Sequence, residues 1–141
     1  MKTVLLGLLC VLMGVGTAAA QAPAQAEHET QKKVLVIHAS RQDAPYTVLI
    51  ERAFRKTLGD GLAGHLDYYT EYIDFGRFSA PEYQMAMRNF LRRKYVGQRL
   101  DVIIAEGHAP FEFVVRHREE IFPGAPLVFS IEEGEWRPIP N

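Results

Sequence analysis

Short apolar runs alternate along this chain with longer stretches in which apolar residues recur at helical spacing. The runs 34–37, 101–105 and 127–129 are apolar at nearly every position, which is typical of parallel strands covered on both faces. The segment 65–73 instead mixes β-forming Tyr, Thr and Ile with acidic residues. That mixture predicts an edge strand with one wetter side.

Three amphipathic helices are predicted between these strands. The first is expected to begin with Asp43 as its N-cap, the second at a capping box formed by Ser79 and Glu82, and the third at Ala109–Pro110. Strands and helices that alternate in this way predict an α/β fold, in which an open parallel sheet of about four strands carries helices on both faces, as in a Rossmann-like lobe. The sheet-facing residues predicted for the first helix are Tyr46, Ile50, Ala53, Phe54 and Leu58.

The amino terminus has the layout of a secretory signal peptide. Met1-Lys2 is a short positive region, 4–15 is an apolar run shorter than a membrane span, and Ala18 to Ala20 form a small-residue cleavage site. We therefore predict a signal peptide over 1–20, cleaved after Ala20, and a periplasmic or secreted protein. Residues 21–32 are predicted to be a flexible leader and 33–141 an α/β lobe.

Composition sets limits on the class of protein. The chain has 141 residues, 48% of them apolar and 23% charged, which suits one small globular domain. A net charge of -1 gives no basic footprint for nucleic acid, so no nucleic-acid partner is predicted. The only cysteine, Cys10, lies within the predicted signal peptide, so the exported chain is expected to have neither a disulfide nor a thiol nucleophile.

Polar residues follow three of the predicted strands at the point where each strand ends. They occupy 38–43, 106–108 and Ser130. In open α/β sheets the carboxyl ends of the strands form one edge, and ligands bind there. The first of these segments has no glycine-rich phosphate loop, and no Walker lysine motif occurs in the chain, so no nucleotide or other cofactor is predicted.

Two catalytic readings of this edge remain alternatives. A small exported hydrolase of flavodoxin-like shape would use Ser40, or a site formed by His38 and His108, although Ser40 is not in a Gly-x-Ser-x-Gly turn. A metal site would combine the two histidines with Asp43 or Glu106, although these residues lack the close spacing of metal motifs. We predict neither a catalytic residue nor a metal ligand. A third reading is a structural domain with a solvated loop edge.

Four segments of the chain resemble periplasmic substrate-binding domains of the ABC-transporter type and the related extracellular sensor domains of bacterial histidine kinases. The segments are 34–46 (VLVIHASRQDAPY), 71–78 (EYIDFGRF), 101–105 (DVIIA) and 122–129 (FPGAPLVF). The resemblance implies a clamp of two α/β lobes with a small solute bound between them. Its cleft positions in the first lobe would be Ser40, Arg41, Gln42, Asp43, Gly107, His108 and Ser130.

The resemblance leads us to expect a non-enzymatic, solute-binding first lobe that serves ABC-type uptake or ligand sensing. The expected partners are a small-molecule solute, a membrane permease or sensor-kinase module, and a second lobe or a second copy of the chain, since only one lobe is expected before Asn141. Within the site, Arg41 could clamp a carboxylate and Tyr46 could stack on a ring or an apolar ligand.

Overall fold

A computed structural model describes residues 31–131. The predicted signal peptide, most of the leader and the segment after Ile131 lie outside these residues. Strands and helices alternate as the sequence predicts. In chain order they are β1 (Lys32–His38), α1 (Pro45–Gly61), β2 (Leu66–Tyr72), α2 (Pro81–Lys94), β3 (Val102–Glu106), α3 (His108–Ile121) and β4 (Leu127–Ser130).

The four strands form one parallel sheet in the order β2-β1-β3-β4. β1 is hydrogen-bonded to β2 on one side and to β3 on the other. Its side chains from Val34 to His38 are all buried, which explains why this run carries no polar residue before its last position. β2 and β4 are the edges of the sheet, so the prediction of an edge strand near 65–73 is confirmed.

Helices cover both faces of the sheet, and the predicted open parallel α/β architecture is confirmed. On one face, Leu35, Ile37 and Ile103 pack in a core with residues of α2 and α3, including Leu91 and Val114. On the other face, Val34, Val36 and Ile104 pack with Phe54 and Leu58 of α1. Among the described helices, α1 is alone on its face.

The predicted side-chain caps of α1 and α2 are wrong. Ala44 and Ala80 are the N-caps, and neither helix start has a side-chain hydrogen bond. Both alanines precede a proline and have extended backbones, with ψ of 133° and 136°. A residue before proline is disfavoured in the helical region, so each helix begins at its proline. Asp43 binds Arg41 instead of capping α1, and its carboxylate lies 2.7 Å from the guanidinium Nε.

The predicted sheet-facing stripe of α1 is shifted in the structure. Tyr46 and Ala53 are exposed, whereas Thr47 is the residue of this helix that is fully buried. The helix also continues beyond Gly59 to Gly61. Within residues 31–131, no helix combines the length and apolar character needed to cross a membrane.

The central core predicts a large loss of stability on truncation. Ile103 has no exposed surface, so Ile103→Ala should lower the free energy of unfolding by about 2–5 kcal/mol, because it removes buried methyl groups and leaves a cavity. Leu49 is 65% exposed on α1, and Leu49→Ala should change it by less than about 0.5 kcal/mol. Urea unfolding followed by circular dichroism measures both, and equal losses would contradict the described core.

Candidate functional site

Four side chains form a row across the sheet where the strands end. His38 is paired in register with Tyr72 of β2 and with Glu106 of β3, and Glu106 is paired with Ser130 of β4. Residues paired in register lie on the same face of a sheet. This face is the one that α1 covers, because Ile104 and Val36 lie two residues back from Glu106 and His38. We call these four residues the terminal row.

The middle of the terminal row is buried and ionisable. His38 has no exposed surface, and Glu106 is also buried. The imidazole Nδ1 lies 3.3 Å from the Glu106 Oε2 atom. A carboxylate only accepts hydrogen bonds, so Nδ1 carries the proton when Glu106 is ionised. The same Oε2 atom lies 3.5 Å from the backbone nitrogen of Ala39, so Glu106 joins β3 to the start of the loop after β1.

A second carboxylate approaches this histidine from α1. Glu51 accepts a hydrogen bond from the Tyr72 hydroxyl and lies 2.7 Å from the Arg55 guanidinium. Its Oε2 atom is 3.7 Å from the His38 Nε2 atom, beyond hydrogen-bond distance. Tyr72 stacks on the imidazole with ring centroids 5.2 Å apart. His38 therefore sits between two carboxylates and an aromatic ring, below the sheet edge.

The surroundings of Glu51 lower its pKa. Burial alone raises the pKa of this carboxyl. Hydrogen bonds from Tyr72 and Arg55, together with the charges of Arg55 and His38, outweigh burial, so the pKa lies below its ordinary value. Burial and the hydrogen bond to Glu51 raise the pKa of Tyr72. Tyr72 therefore remains a neutral donor and Glu51 a charged acceptor at neutral pH.

An exposed layer of loops lies beyond the buried row. The loop after β1 presents Arg41, Gln42 and Asp43 to solvent, with Ser40 partly buried. In the loop after β2, Arg77 is hydrogen-bonded to Asp74 and lowers the pKa of that carboxyl, and Arg41 lowers it further. Two ion pairs, Arg41–Asp43 and Arg77–Asp74, therefore lie at this edge, and their charges balance.

The loops after β1 and β3 meet through Gly107. Its φ of 93° lies in the left-handed region, and a Cβ there would come within 2.9 Å of the Ala39 Cβ. Its backbone N–H donates to the carbonyl of Ser130 at 2.7 Å. Only glycine meets both requirements without strain, so this residue joins the ends of β1, β3 and β4.

The structure brings some of the predicted site residues together and separates others. Gly107 and Ser130 are hydrogen-bonded, and Ser40 to Asp43 follow Ala39, which lies against Gly107. His108 begins α3 and lies 3.4 Å from Glu112 of the same helix. Tyr46 is an exposed residue of the first turn of α1.

The catalytic alternatives have no assembled site in the described residues. Neither His38 nor His108 is hydrogen-bonded to Ser40 there, and a hydrolase needs a base within hydrogen-bond reach of its nucleophile. No group of three or more His, Cys, Asp or Glu side chains within 31–131 could hold a metal ion.

Glu51 and Tyr72 belong to the buried cluster, but neither was among the residues predicted for the site. The available signal was Glu51 itself, which lies one turn after Thr47 and three residues before Phe54 on the covered side of α1. A carboxylate on such a face needs a partner inside the protein.

Glu51→Gln should reduce stability in a pH-dependent manner. The pKa of Glu51 is lowered in the folded protein, so its contribution is present above its ordinary value of 4.5 and is lost as the pH falls through the folded value. We expect the free energy of unfolding to fall by about 1–3 kcal/mol at neutral pH, and by less in acid.

Asp60→Asn is the control. It breaks an exposed pair with Lys56 on the same helix and should lower the free energy of unfolding by less than about 0.5 kcal/mol. Urea unfolding across pH tests both, and a pH-independent loss would refute the role of the Glu51 charge.

Gly107→Ala should disturb the junction of the three loops. We expect it to destabilise the protein by about 1–3 kcal/mol, more than Gly124→Ala does. Gly124 also has a positive φ of 72°, but an added Cβ would meet nothing within 4 Å. Thermal unfolding of both variants measures their decreases in unfolding temperature relative to wild type. The larger decrease for Gly107→Ala would report the contact with Ala39, and equal decreases would show that this contact is not tight.

Comparison of the chain with protein-family models, with curated proteins and with solved structures finds no match. The resemblance to periplasmic binding domains therefore gains no support from these comparisons.

Proposed function

We propose that this domain binds a small solute at the carboxyl edge of its sheet and serves as one lobe of an exported binding or sensing protein. The observation that carries the proposal is the convergence of three strand ends at Gly107. Polar loops after β1 and β3 and the end of β4 meet there, at the switch point where open α/β sheets bind their ligands.

The edge favours a solute with an anionic group. α1 and α3 both begin at this edge, and neither has an acidic residue in its first turn, so the positive ends of their helix dipoles attract negative charge. Arg41 lies beside them, half exposed, and its Nε atom is engaged by Asp43. Without Asp43, its guanidinium would present a planar fork that matches a carboxylate of the solute.

In this proposal Asp43 competes with the solute. It holds Arg41 while the site is empty, and a carboxylate of the solute takes its place. The remaining surface of the solute would be covered by a second lobe or a second copy of the chain. Closure of the two halves would then deliver the solute to a permease or signal to a sensor module.

Two opposite changes at the edge test this proposal. A panel of small mono- and dicarboxylates, with neutral sugars as a comparison, is titrated calorimetrically. For a carboxylate that binds, Arg41→Ala should weaken affinity about tenfold or more, because a charge-assisted hydrogen-bond pair is lost. Asp43→Asn should strengthen it, because the competing carboxylate is gone.

Arg93→Ala is the matched control, since Arg93 is exposed on α2, and it should leave affinity unchanged. Equal affinity of wild type and Arg41→Ala for every carboxylate would remove Arg41 from the site. If no member of the panel binds, the anionic-solute proposal fails.

A further inference from the structure

A cavity lies at the edge of the sheet opposite to the proposed solute edge. Its volume is about 500 Å³, and it is bordered by the loop from α2 to β3 and by the loop from α3 to β4. Both loops lead into strands of the parallel sheet, so they lie at its amino edge. The four steps of β3 from Val102 to Glu106 separate the two edges by about 13 Å. Small-molecule sites commonly have volumes of about 300–1,000 Å³, and we call this one the amino-edge cavity.

Apolar side chains line the floor and the rim of the amino-edge cavity. Tyr95, Leu100 and Ile121 reach the floor from the main core and are themselves buried. Val96 lines the rim and is 77% exposed, more than any other large apolar side chain that the structure describes. An apolar group placed in the cavity would remove Val96 from water, which favours binding.

Two arginines give the same cavity a positive charge. Arg92 and Arg99 both line it and are exposed. Glu120 also lines it, but Arg88 binds both oxygens of that carboxylate, at 2.6 and 2.7 Å. Arg92 lies 3.6 Å from Glu120, beyond hydrogen-bond distance, and the Arg99 guanidinium has no partner among residues 31–131. Both guanidinium groups therefore have donors available for a ligand.

We propose that the amino-edge cavity binds an amphipathic anion, a small molecule with an apolar body and one carboxylate or sulfonate group. The apolar body lies on Val96 and on the floor of the cavity. The acid group is held by Arg92 and Arg99, because a guanidinium presents a planar fork of donors to such a group.

A cation or a neutral ligand is a poorer match. α2 and α3 end beside the cavity, and the C-terminal end of a helix attracts positive charge. Arg92 in the last turn of α2 already supplies that charge, and Arg88 neutralises Glu120. A neutral ligand would leave the donors of Arg92 and Arg99 without an acceptor.

The probe for this proposal is 8-anilinonaphthalene-1-sulfonate, which joins aromatic rings to a sulfonate and fluoresces when its rings leave water. Titration of the full chain should show saturable binding. Arg99→Ala should weaken affinity about tenfold, because a charge-assisted hydrogen bond is lost. Val96→Glu should weaken it several-fold by repulsion, and Val96→Lys should not weaken it. Both positions are exposed, so each variant should keep the circular dichroism spectrum of the wild type.

Arg93→Ala is the matched control, since Arg93 is an exposed neighbour of Arg92 that does not line the cavity, and it should leave affinity unchanged. Octanoate should displace the probe, and 1-octanol, which lacks the charge, should displace it several-fold less well. No saturable binding, or equal affinity of the wild type, Arg99→Ala and Val96→Glu, would overturn the proposal. A loss of affinity in Arg41→Ala but not in Arg99→Ala would place the probe at the solute edge and would also overturn it.

Discussion

The structure depends on the parallel pairing of β1 with β2 and β3. Because both partners run in the same direction as β1, the three strands end in one row, and the residue that ends β1 lies between their last residues. His38 is that residue, and it is buried. A buried imidazole needs polar partners. Glu106 supplies one on the Nδ1 side, and Glu51 of α1 brings a carboxylate to 3.7 Å of Nε2.

The central strands were predictable because burial on both faces requires a run of consecutive apolar residues. Val34 to Ile37 is apolar at every position, which favours a parallel strand covered on both faces, and the edge character of β2 followed from its acidic residues. The helix starts were mispredicted because Asp43 and Ser79 are good capping residues in isolation. The prolines at 45 and 81 outweigh that preference, because they force the preceding alanines into extended conformations.

The exposed layer of the candidate site was predictable, and so was the position of His38 and Glu106 at the ends of their strands. Ser40 to Asp43, Gly107 and Ser130 lie at or after strand ends, and parallel pairing is enough to place them at one edge. The contacts within the buried layer depend on register and on the rotation of α1, which sequence spacing does not specify. A rotation that buries Thr47 instead of Tyr46 also moves Glu51 from the surface to His38. Glu51 and Tyr72 were missed for this reason.

The exposed junction of the loops and the buried row are joined through two neighbouring residues of β3 and the turn after it. Gly107 donates its N–H to the Ser130 carbonyl and lies too close to Ala39 to carry a side chain. Glu106 directly precedes Gly107, and its carboxylate lies 3.3 Å from the His38 imidazole. A change in the backbone at Gly107 therefore also changes the surroundings of His38.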